Sequence, residues 1–378
     1  MEEENTQCSR KLNGGGLLHR QSLPDDLIIE ILLRLPVRSL LLLKCVCKSW
    51  KTLISDLQFA KQHLQSLTMD PSIANRRFFF GRGDGKIVSV PVKPLLENPS
   101  APIEAVEFNM EHSLRVLGSC NGLVCLLEIY EGYVRLWNPS TKFESNKSPS
   151  LNLLFDQWTI AFYGFGYDHV NDKYKLLLDV RLVSNIGYQN VRLYTFGENS
   201  WTSIQNFPCH PARFTGKLVN GTLNWIIVRR VGDYIQTRIL SFDLVKETYT
   251  EILLPQNQKH DPCMNQRPDL GVLNNCLCVS FNIGTHLVLW LMKEYGVAES
   301  WTRLKMIPAE HLQKHGEQGS YRVIEPLFIF ENSIVLLRTI SEFFLYDLNN
   351  GTMHILLISN PVNMNQFLYL ESLVSLQL

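Results

Sequence analysis

The sequence predicts two structural units of different class, a small all-α module near the N-terminus and a large all-β domain behind it. Three observations predict this division. Apolar residues recur at helical spacing between residues 24 and 67. From residue 77 onward, short apolar runs alternate with turn residues about every ten positions, as they do in strands. Turn and strand patterns then recur about every 50 residues, which indicates an internal repeat.

The composition is that of an ordinary globular protein and narrows the classes of partner. Of the 378 residues, 45% are hydrophobic and 19% are charged, and 36 basic residues balance 36 acidic ones. Proteins that bind nucleic acid or an anionic membrane usually carry a basic excess, so we expect neither partner. Nine scattered cysteines favour reduced thiols, and the polar N-terminus lacks an apolar signal segment. We therefore expect the protein in the cytoplasm, the nucleus or both.

The sequence divides into four segments. We expect a disordered tail over residues 1–20, a helical module over 21–66, a linker over 67–76 and the β domain over 77–378. Tail and linker are polar, and Pro71 lies within the linker, as is usual at a domain junction.

Three short helices are predicted in the helical module. The first covers residues 24–35, where Pro24 suits the first turn and Pro36 ends the helix. Its apolar stripe consists of Leu27, Ile28, Ile31, Leu32 and Leu35. A second helix is predicted from an N-cap at Ser39, and a third over residues 56–67.

The helical module offers more apolar surface than three short helices can bury. A unit of about 45 residues is marginal as an independent domain. The surplus side chains must therefore contact either the rest of this chain, as a helical cap would, or a separate partner.

The segment LPDDLIIEILLRLPVRSLLLLKCVCKSWKTLISDLQFAKQHL resembles the plant F-box. Matching features include Leu23-Pro24, Glu30-Ile31-Leu32, Arg34-Leu35-Pro36, Val46-Cys47-Lys48 and Trp50. The resemblance implies that this module binds a Skp-type adaptor and, through it, a cullin scaffold. We expect the adaptor contacts to come from Leu23, Pro24, Leu27, Ile31, Leu32, Leu35, Pro36, Leu40, Val46 and Trp50.

Six turn signals divide the β domain. Each is a pair of residues that tolerates positive φ and precedes an apolar strand. The pairs are Asp84-Gly85, Asn121-Gly122, Asn171-Asp172, Asn220-Gly221, Asn274-Asn275 and Glu331-Asn332. A second signature, an aromatic residue within a strand, follows in the last five units, at Trp137, Tyr194, Phe242, Trp290 and Tyr346. In addition, Ser200-Trp201-Thr202 recurs as Ser300-Trp301-Thr302.

Four strands in a unit of about 50 residues are typical of a propeller blade, so the sequence predicts a six-bladed β-propeller-like ring. The last strand, over residues 366–376, is expected to pair with the first blade and close the ring. The alternative is a pair of β-sandwiches with coincidental spacing.

This half of the chain resembles the plant F-box-associated, kelch-related domain. The residues that carry the resemblance include Gly118–Leu123, Leu136–Thr141, Phe165–Asp168, Asn220–Trp225 and Glu371–Leu373. The paired glycines of true kelch repeats are missing. The resemblance implies a platform that recognises a protein target.

The sequence contains no recognisable catalytic constellation, and we expect neither a cofactor nor a bound metal. Cys45 and Cys47, like Cys276 and Cys278, are spaced too closely for a zinc knuckle. The tryptophans of the repeats could stack on sugars, but blade core is the simpler interpretation.

The two resemblances together imply a non-catalytic substrate receptor of an SCF-type ubiquitin ligase, and we expect its β domain to bind a protein target through its loops. The candidate loops are 94–102, 143–157, 181–190, 209–215, 255–268 and 309–321, with residues 209–213 and 256–269 suited to polar contacts. Two alternatives stay open: a propeller that binds carbohydrate or another ligand, and an F-box scaffold that acts outside a ligase.

Overall fold

The structure is a computed structural model. It describes residues 23–69, 75–82, 86–98, 105–110, 114–151, 158–185, 190–205, 207–232, 234–255, 268–283, 285–308, 310, 324–330, 333–339, 342–356 and 366–375. The predicted tail over residues 1–20 lies outside this set. None of the helices in these ranges is long and apolar enough to cross a lipid bilayer.

The N-terminal module contains four helices where the sequence predicts three. They are α1 (Asp25–Leu33), α2 (Val37–Leu43), α3 (Lys48–Ser55) and α4 (Leu57–Met69). The predicted N-cap at Ser39 is wrong, because α2 begins at Val37 directly after Pro36. A turn over residues 44–46 separates α2 from α3 and accounts for the additional helix. Asp56 caps the N-terminus of α4, where its Oδ1 accepts a hydrogen bond from the backbone N–H of Phe59 at 3.0 Å.

In the described residues the strands form six four-stranded antiparallel sheets, so the predicted six-bladed propeller is confirmed. Blade 1 contains β1 (Arg76–Arg82), β2 (Lys86–Pro91) and β3 (Val106–Asn109), with α5 (Val92–Glu97) between β2 and β3. Blade 2 contains β4 (Leu114–Cys120), β5 (Leu123–Glu128), β6 (Val134–Asn138) and β7 (Phe143–Glu144). Blade 3 contains β8 (Trp158–Asp168), β9 (Lys173–Leu182), β10 (Val191–Thr195) and β11 (Thr202–Ser203).

The remaining blades repeat this arrangement. Blade 4 contains β12 (Lys217–Val219), β13 (Thr222–Val231), β14 (Tyr234–Asp243) and β15 (Tyr249–Ile252). Blade 5 contains β16 (Asp269–Leu273), β17 (Cys276–Asn282), β18 (His286–Met292) and β19 (Trp301–Pro308). Blade 6 contains β20 (Glu325–Ile329), β21 (Ile334–Arg338), β22 (Phe343–Asp347) and β23 (Met353–Leu356).

The last strand, β24 (Gln366–Leu370), closes the ring as predicted. It pairs antiparallel with β1 and becomes the first strand of blade 1. The two ends of the propeller are thereby joined by backbone hydrogen bonds, which cover the inner edge of β1. Because β24 takes this position, β1 and β2 are the second and third strands of their sheet. The predicted turn at residues 84–85 is therefore not equivalent to the others, and it lies outside the described residues.

Positive φ occurs at the predicted turns that the structure describes. Asn121 and Gly122 have φ values of 51° and 75°, and Asn220 and Gly221 have values of 50° and 71°. Asp172, Asn274 and Asn275 also lie in this region. These residue types adopt left-handed backbone at low cost, so they join the first strand of a blade tightly to the second. The predicted turn at residues 331–332 is outside the described residues.

The aromatic signature marks the third strand of blades 2 to 6. Trp137, Tyr194, Phe242 and Tyr346 are buried and Trp290 is half-buried, all within blade cores or between blades. In blades 2, 4 and 6 the next residue is Asn or Asp, at positions 138, 243 and 347. Its side-chain oxygen accepts backbone N–H groups two and three residues ahead and so turns the chain into the fourth strand.

The repeated Ser-Trp-Thr motif links neighbouring blades. The indole Nε1–H of Trp201 in blade 3 donates a hydrogen bond to the Pro149 carbonyl, just after blade 2, at 2.8 Å. The Nε1–H of Trp301 in blade 5 donates to the Leu253 carbonyl, just after blade 4, at 2.9 Å. The motif therefore recurs because each copy bonds its blade to the preceding one.

The propeller has two faces. We call the face with the turns at 121–122, 169–172, 220–221 and 274–275 the near face, and the opposite one the far face. The helical module lies on the near face, where Lys61 Nζ of α4 is 2.5 Å from Asp172 Oδ2. Because strands alternate in direction, second-to-third strand connections and connections between blades lie on the far face.

Candidate interaction surfaces

A row of apolar side chains on α1 is exposed in the part of the chain that the structure describes. Leu27 is 47% and Ile31 is 51% exposed, and these residues are one helical turn apart. Leu23 and Pro24, just before the helix, are also exposed. The propeller packs against other parts of the module, so this row is available to a separate partner.

A second exposed apolar surface lies at the end of α2 and in the turn that follows. Leu42 is 69% exposed and Val46 is exposed as well, and so is Pro36, which lies just before α2. Leu42 is absent from the predicted adaptor contacts. The run of four leucines at 40–43 was the available signal, because a short helix cannot turn four consecutive side chains inward.

The other predicted contact residues lie deeper in the module. Leu32 and Leu40 are 1% and 0% exposed, and Leu35 and Trp50 are half-buried. Leu32 and Leu40 form the core that orients the exposed row, together with Val37, Ile54 and Phe59. Adaptor contact by all of these residues stays a prediction, and burial indicates a supporting role for Leu32 and Leu40.

A buried histidine holds the turn between α1 and α2. His63 of α4 is 0% exposed, and its Nε2 lies 2.8 Å from the carbonyl oxygen of Leu35. The carbonyl can only accept, so Nε2 carries the hydrogen. Burial lowers the pKa of His63 below its usual 6.5, against the opposing effect of the Leu35 hydrogen bond. Its Nδ1 is buried without a hydrogen-bond partner among the described residues.

The C-terminal segment joins the helical module to the propeller. The side-chain amide of Asn138 in blade 2 donates to the carbonyls of Ser372 and Val374, at 3.0 and 2.8 Å. Ser372 Oγ–H in turn donates to the Asn121 carbonyl at 3.2 Å. The next side chain, Leu373, is buried in the core of the helical module. Three motifs that lie far apart in the sequence therefore meet at one point on the near face.

The first strands of the blades surround a central channel of about 770 Å³. Glu325 of blade 6 forms ion pairs there with Lys217 of blade 4 and with Arg338. Burial alone would raise the pKa of Glu325, but these two positive charges and their hydrogen bonds outweigh it and lower the pKa to about 2. The carboxylate therefore stays ionised and connects two blades that are not neighbours.

On the far face, residues 207–216 form an ordered connection between blades 3 and 4. The N–H of Ala212 donates to the Ile226 carbonyl, and the N–H of Tyr163 donates to the Phe214 carbonyl, both at 2.7 Å. A Cβ on Gly216 would lie 2.5 Å from the Trp225 ring, so only glycine allows this close approach.

Charged side chains connect this segment to blades 3 and 5. Arg181 of β9 donates from Nε to Asp179 Oδ2 at 2.8 Å, and its guanidinium also contacts the ring of His210. Burial, and then the charge of Arg181, lower the pKa of His210. Arg213 donates to Asp269 Oδ1 of β16 at 2.6 Å. The polar contacts expected at residues 209–213 are thus made, in part, within the chain itself.

The predicted binding loops fall on both faces. Loops 143–157, 181–190, 209–215, 255–268 and 309–321 belong to connections on the far face, and loop 94–102 belongs to the near face. Residues 99–102, 152–157, 186–189, 256–267, 309 and 311–321 of these loops lie outside the described residues. Their role in binding stays a prediction.

Most of the residues that suggest metal or sugar chemistry are buried, although Cys45 and Cys47 are exposed and Trp201 and Trp290 are half-buried. Among the described residues, no group of histidine, cysteine and carboxylate side chains could hold a metal ion. Cys278 is buried in β17 and Cys276 is half-buried on the same side of that strand. Trp137, Trp225 and Trp301 are buried, so their rings are not open to stack on a sugar.

Two family comparisons match the two parts of the chain. Residues 21–62 match the F-box domain, and residues 78–376 match the F-box associated beta propeller domain. The second match covers most of the chain. The region of this second match contains the strands of the six blades.

Curated relatives from Arabidopsis thaliana align over nearly the whole length. An F-box/kelch-repeat protein is 29% identical over 367 residues, which cover 94% of this chain and 96% of the relative. The F-box protein CPR1 is 28% identical over 382 residues, which cover 93% and 89%. Another F-box protein is 30% identical over 359 residues, which cover 85% and 79%. This chain therefore belongs to the F-box proteins that carry a C-terminal F-box associated β-propeller domain.

Proposed function

We propose that this protein is a substrate receptor of an SCF-type ubiquitin ligase, in which the helical module binds a Skp-type adaptor and the propeller binds a protein target. The exposed apolar row Leu23, Leu27 and Ile31 carries the proposal. Exposed apolar side chains in a row on one helix are typical of a helix that docks against a partner. The propeller does not cover this row, although it packs on the same module.

The arrangement supports catalysis by proximity. The C-terminal segment and the ion pair between Lys61 and Asp172 fix the helical module on the near face. A target bound to the propeller would then be held at a defined distance from the ligase core. Its lysines would gain a high effective concentration at the ubiquitin thioester, without chemistry by this chain.

The adaptor interface can be tested by co-purification. We expect Leu27→Ala with Ile31→Ala to weaken adaptor binding by about 2 kcal/mol or more, because both side chains would be buried at the centre of the interface. Val170→Ala is the matched control, since Val170 is an exposed apolar residue on the near face of blade 3. Full adaptor binding by the double variant, with the fold intact by circular dichroism, would contradict the proposal.

The same preparation distinguishes a ligase from a scaffold. A ligase receptor should bring down cullin together with the adaptor, whereas an F-box scaffold outside a ligase should bring down the adaptor alone. We propose the cytoplasm or the nucleus as the compartment. The free thiols of the seven described cysteines are compatible with a reducing environment.

A further inference from the structure

An exposed apolar and basic surface lies on the far face of blades 3 and 4. Its apolar members are Leu182 and Val183 at the end of β9, Phe214 in the connection between the blades, and Ile235 at the start of β14. Phe214 is 61% and Ile235 is 71% exposed. We call these four residues, together with the arginines described next, the far-face patch.

Arginines lie at the same end of blades 3 and 4 as these apolar residues. At this end of blades 3 and 4 the described arginines are Arg181, Arg192, Arg213, Arg229, Arg230 and Arg238. The described carboxylates that face them are Asp179, Glu251 and Asp269. Basic side chains are therefore in excess here, in a chain whose formal net charge is zero.

Contacts within the chain hold this surface in shape. Arg229 pairs with Glu251 at 2.5 Å, and its guanidinium also reaches Cys209 Sγ at 3.8 Å. The segment that contains Cys209 contacts Arg181 through His210 and β16 through Arg213. In the strand pairing, the exposed Arg230 stands opposite Ile235. An ordered surface loses little conformational entropy when a ligand binds.

We propose that the far-face patch binds an acidic segment of the protein target that also carries a large apolar side chain. The assignment rests on the proposed function and specifies the class of target. Arginine guanidinium groups bind carboxylates with two parallel hydrogen bonds, and Phe214 and Ile235 offer apolar surface beside them. The charge excess is small and local, which fits a short acidic peptide better than a nucleic-acid backbone.

The test uses the full-length protein and random peptides of about twelve residues displayed on phage, a length that spans about 40 Å when extended. We expect enriched peptides to be rich in Asp and Glu and to contain Leu, Ile or Phe. One enriched peptide, labelled with a fluorophore, then serves as the probe in anisotropy titrations.

Variants at exposed positions decide where the peptide binds. We expect the triple variant Phe214→Ser, Arg230→Glu and Ile235→Ser to lower affinity at least tenfold. The matched control is Val170→Ser with Lys246→Glu, at exposed positions on the near face of blades 3 and 4, and should leave affinity unchanged. Enrichment of basic or uncharged peptides, or equal affinity of the triple variant and wild type, would overturn the proposal.

Competition distinguishes other anionic ligands. A single-stranded RNA that displaces the probe at lower concentration than the unlabelled peptide would overturn the proposal in favour of a nucleic-acid ligand. Binding of a phosphoserine version but not of the glutamate version would overturn the carboxylate assignment. Adaptor co-purification separates the two proposals. The triple variant should bind the adaptor as well as the wild-type protein does, even if the peptide experiment overturns the far-face patch.

Discussion

At the scale of single residues, the helical module depends on a histidine that must stay neutral. His63 donates one hydrogen bond to Leu35 and is otherwise enclosed by apolar side chains such as Phe59, whose ring stacks on it at 6.3 Å between centroids. Protonation would place a charge inside this core, which is costly without a partner. The pKa of His63 is accordingly lowered by burial.

This lowered pKa predicts that the module weakens in mild acid. The unfolded state binds a proton near pH 6.5 and the folded state only at lower pH, so stability falls as pH drops below about 6.5. We expect adaptor affinity to decrease between pH 7.5 and 5.5, because His63 holds the turn that contains Leu35 and Pro36. Calorimetric titration across this range provides the measurement.

The conservative variant His63→Gln supplies the comparison. Its amide can donate to the Leu35 carbonyl but does not titrate, so its adaptor affinity should be nearly independent of pH. His169→Gln, at an exposed near-face position, should retain the wild-type pH dependence. The same pH profile in His63→Gln as in wild type would show that His63 is not the titrating group.

At the scale of elements, the C-terminal segment does more than supply a closing strand. β24 completes blade 1, and the residues after it cross blade 2 and enter the core of the helical module. Gly122 allows this crossing, since it has a φ of 75° and a Cβ there would lie 2.0 Å from Ser372 Oγ. The requirement for glycine is therefore both conformational and steric.

We predict that Gly122→Ala destabilises the protein more than an ordinary substitution at positive φ. Gly232→Ala is the matched control, because Gly232 has a φ of 62° and no atom within 4 Å of the added Cβ. Backbone strain costs about 1–2 kcal/mol in both variants, and displacement of Ser372 adds about 1–3 kcal/mol in Gly122→Ala alone. Urea unfolding measures the loss of stability in both variants. Equal losses would contradict a close crossing of the C-terminal segment over Gly122.

At the scale of the whole molecule, the ring separates two tasks onto two faces. The near face carries the helical module, and the far face carries the connections between blades and the far-face patch. Across the channel, Glu325 links blade 4 to blade 6 through Lys217. This pair joins strands 108 residues apart in sequence, so it depends on how blades 4 to 6 are arranged around the channel.

The cross-channel ion pair should therefore affect stability in acid. The pKa of Glu325 falls from 4.5 to about 2 on folding, so the unfolded state binds more protons between these values. This carboxylate therefore stabilises the fold above pH 4.5, and the contribution is lost as pH falls towards 2. We expect Glu325→Gln to lower the urea midpoint at pH 7 and to reduce its decline between pH 5 and 3.

Glu107→Gln serves as the control in that experiment. Glu107 forms an ion pair with Lys86 at 3.1 Å on the exterior of blade 1, where solvent screens the interaction. The Glu107→Gln substitution should change the urea midpoint little at either pH. A loss in Glu325→Gln no greater than in this control would contradict a stabilising cross-channel pair.

Much of the fold could be predicted from the sequence because its signals are local and repeated. Asn-Gly and similar pairs reveal tight turns, and an aromatic residue followed by Asn or Asp reveals the end of a third strand. Six turn signals predicted the blade number, although the one at residues 84–85 joins the second and third strands of its blade and is not equivalent to the other five. The extra helix break at residues 44–46 escaped prediction, since the apolar spacing continues through the turn without a proline or glycine.

The sequence by itself determined the helical module, the six blades and the family, because each depends on side chains close together in the chain. The closing strand could be predicted because a ring of blades needs a strand at the inner edge of β1. Only the tertiary structure decided which apolar residues stay exposed, how residues near 121, 138 and 372 meet, and where the far-face patch lies. These features join residues that are distant in sequence. Their contacts depend on how the chain closes into a ring, and local spacing carries no information about that geometry.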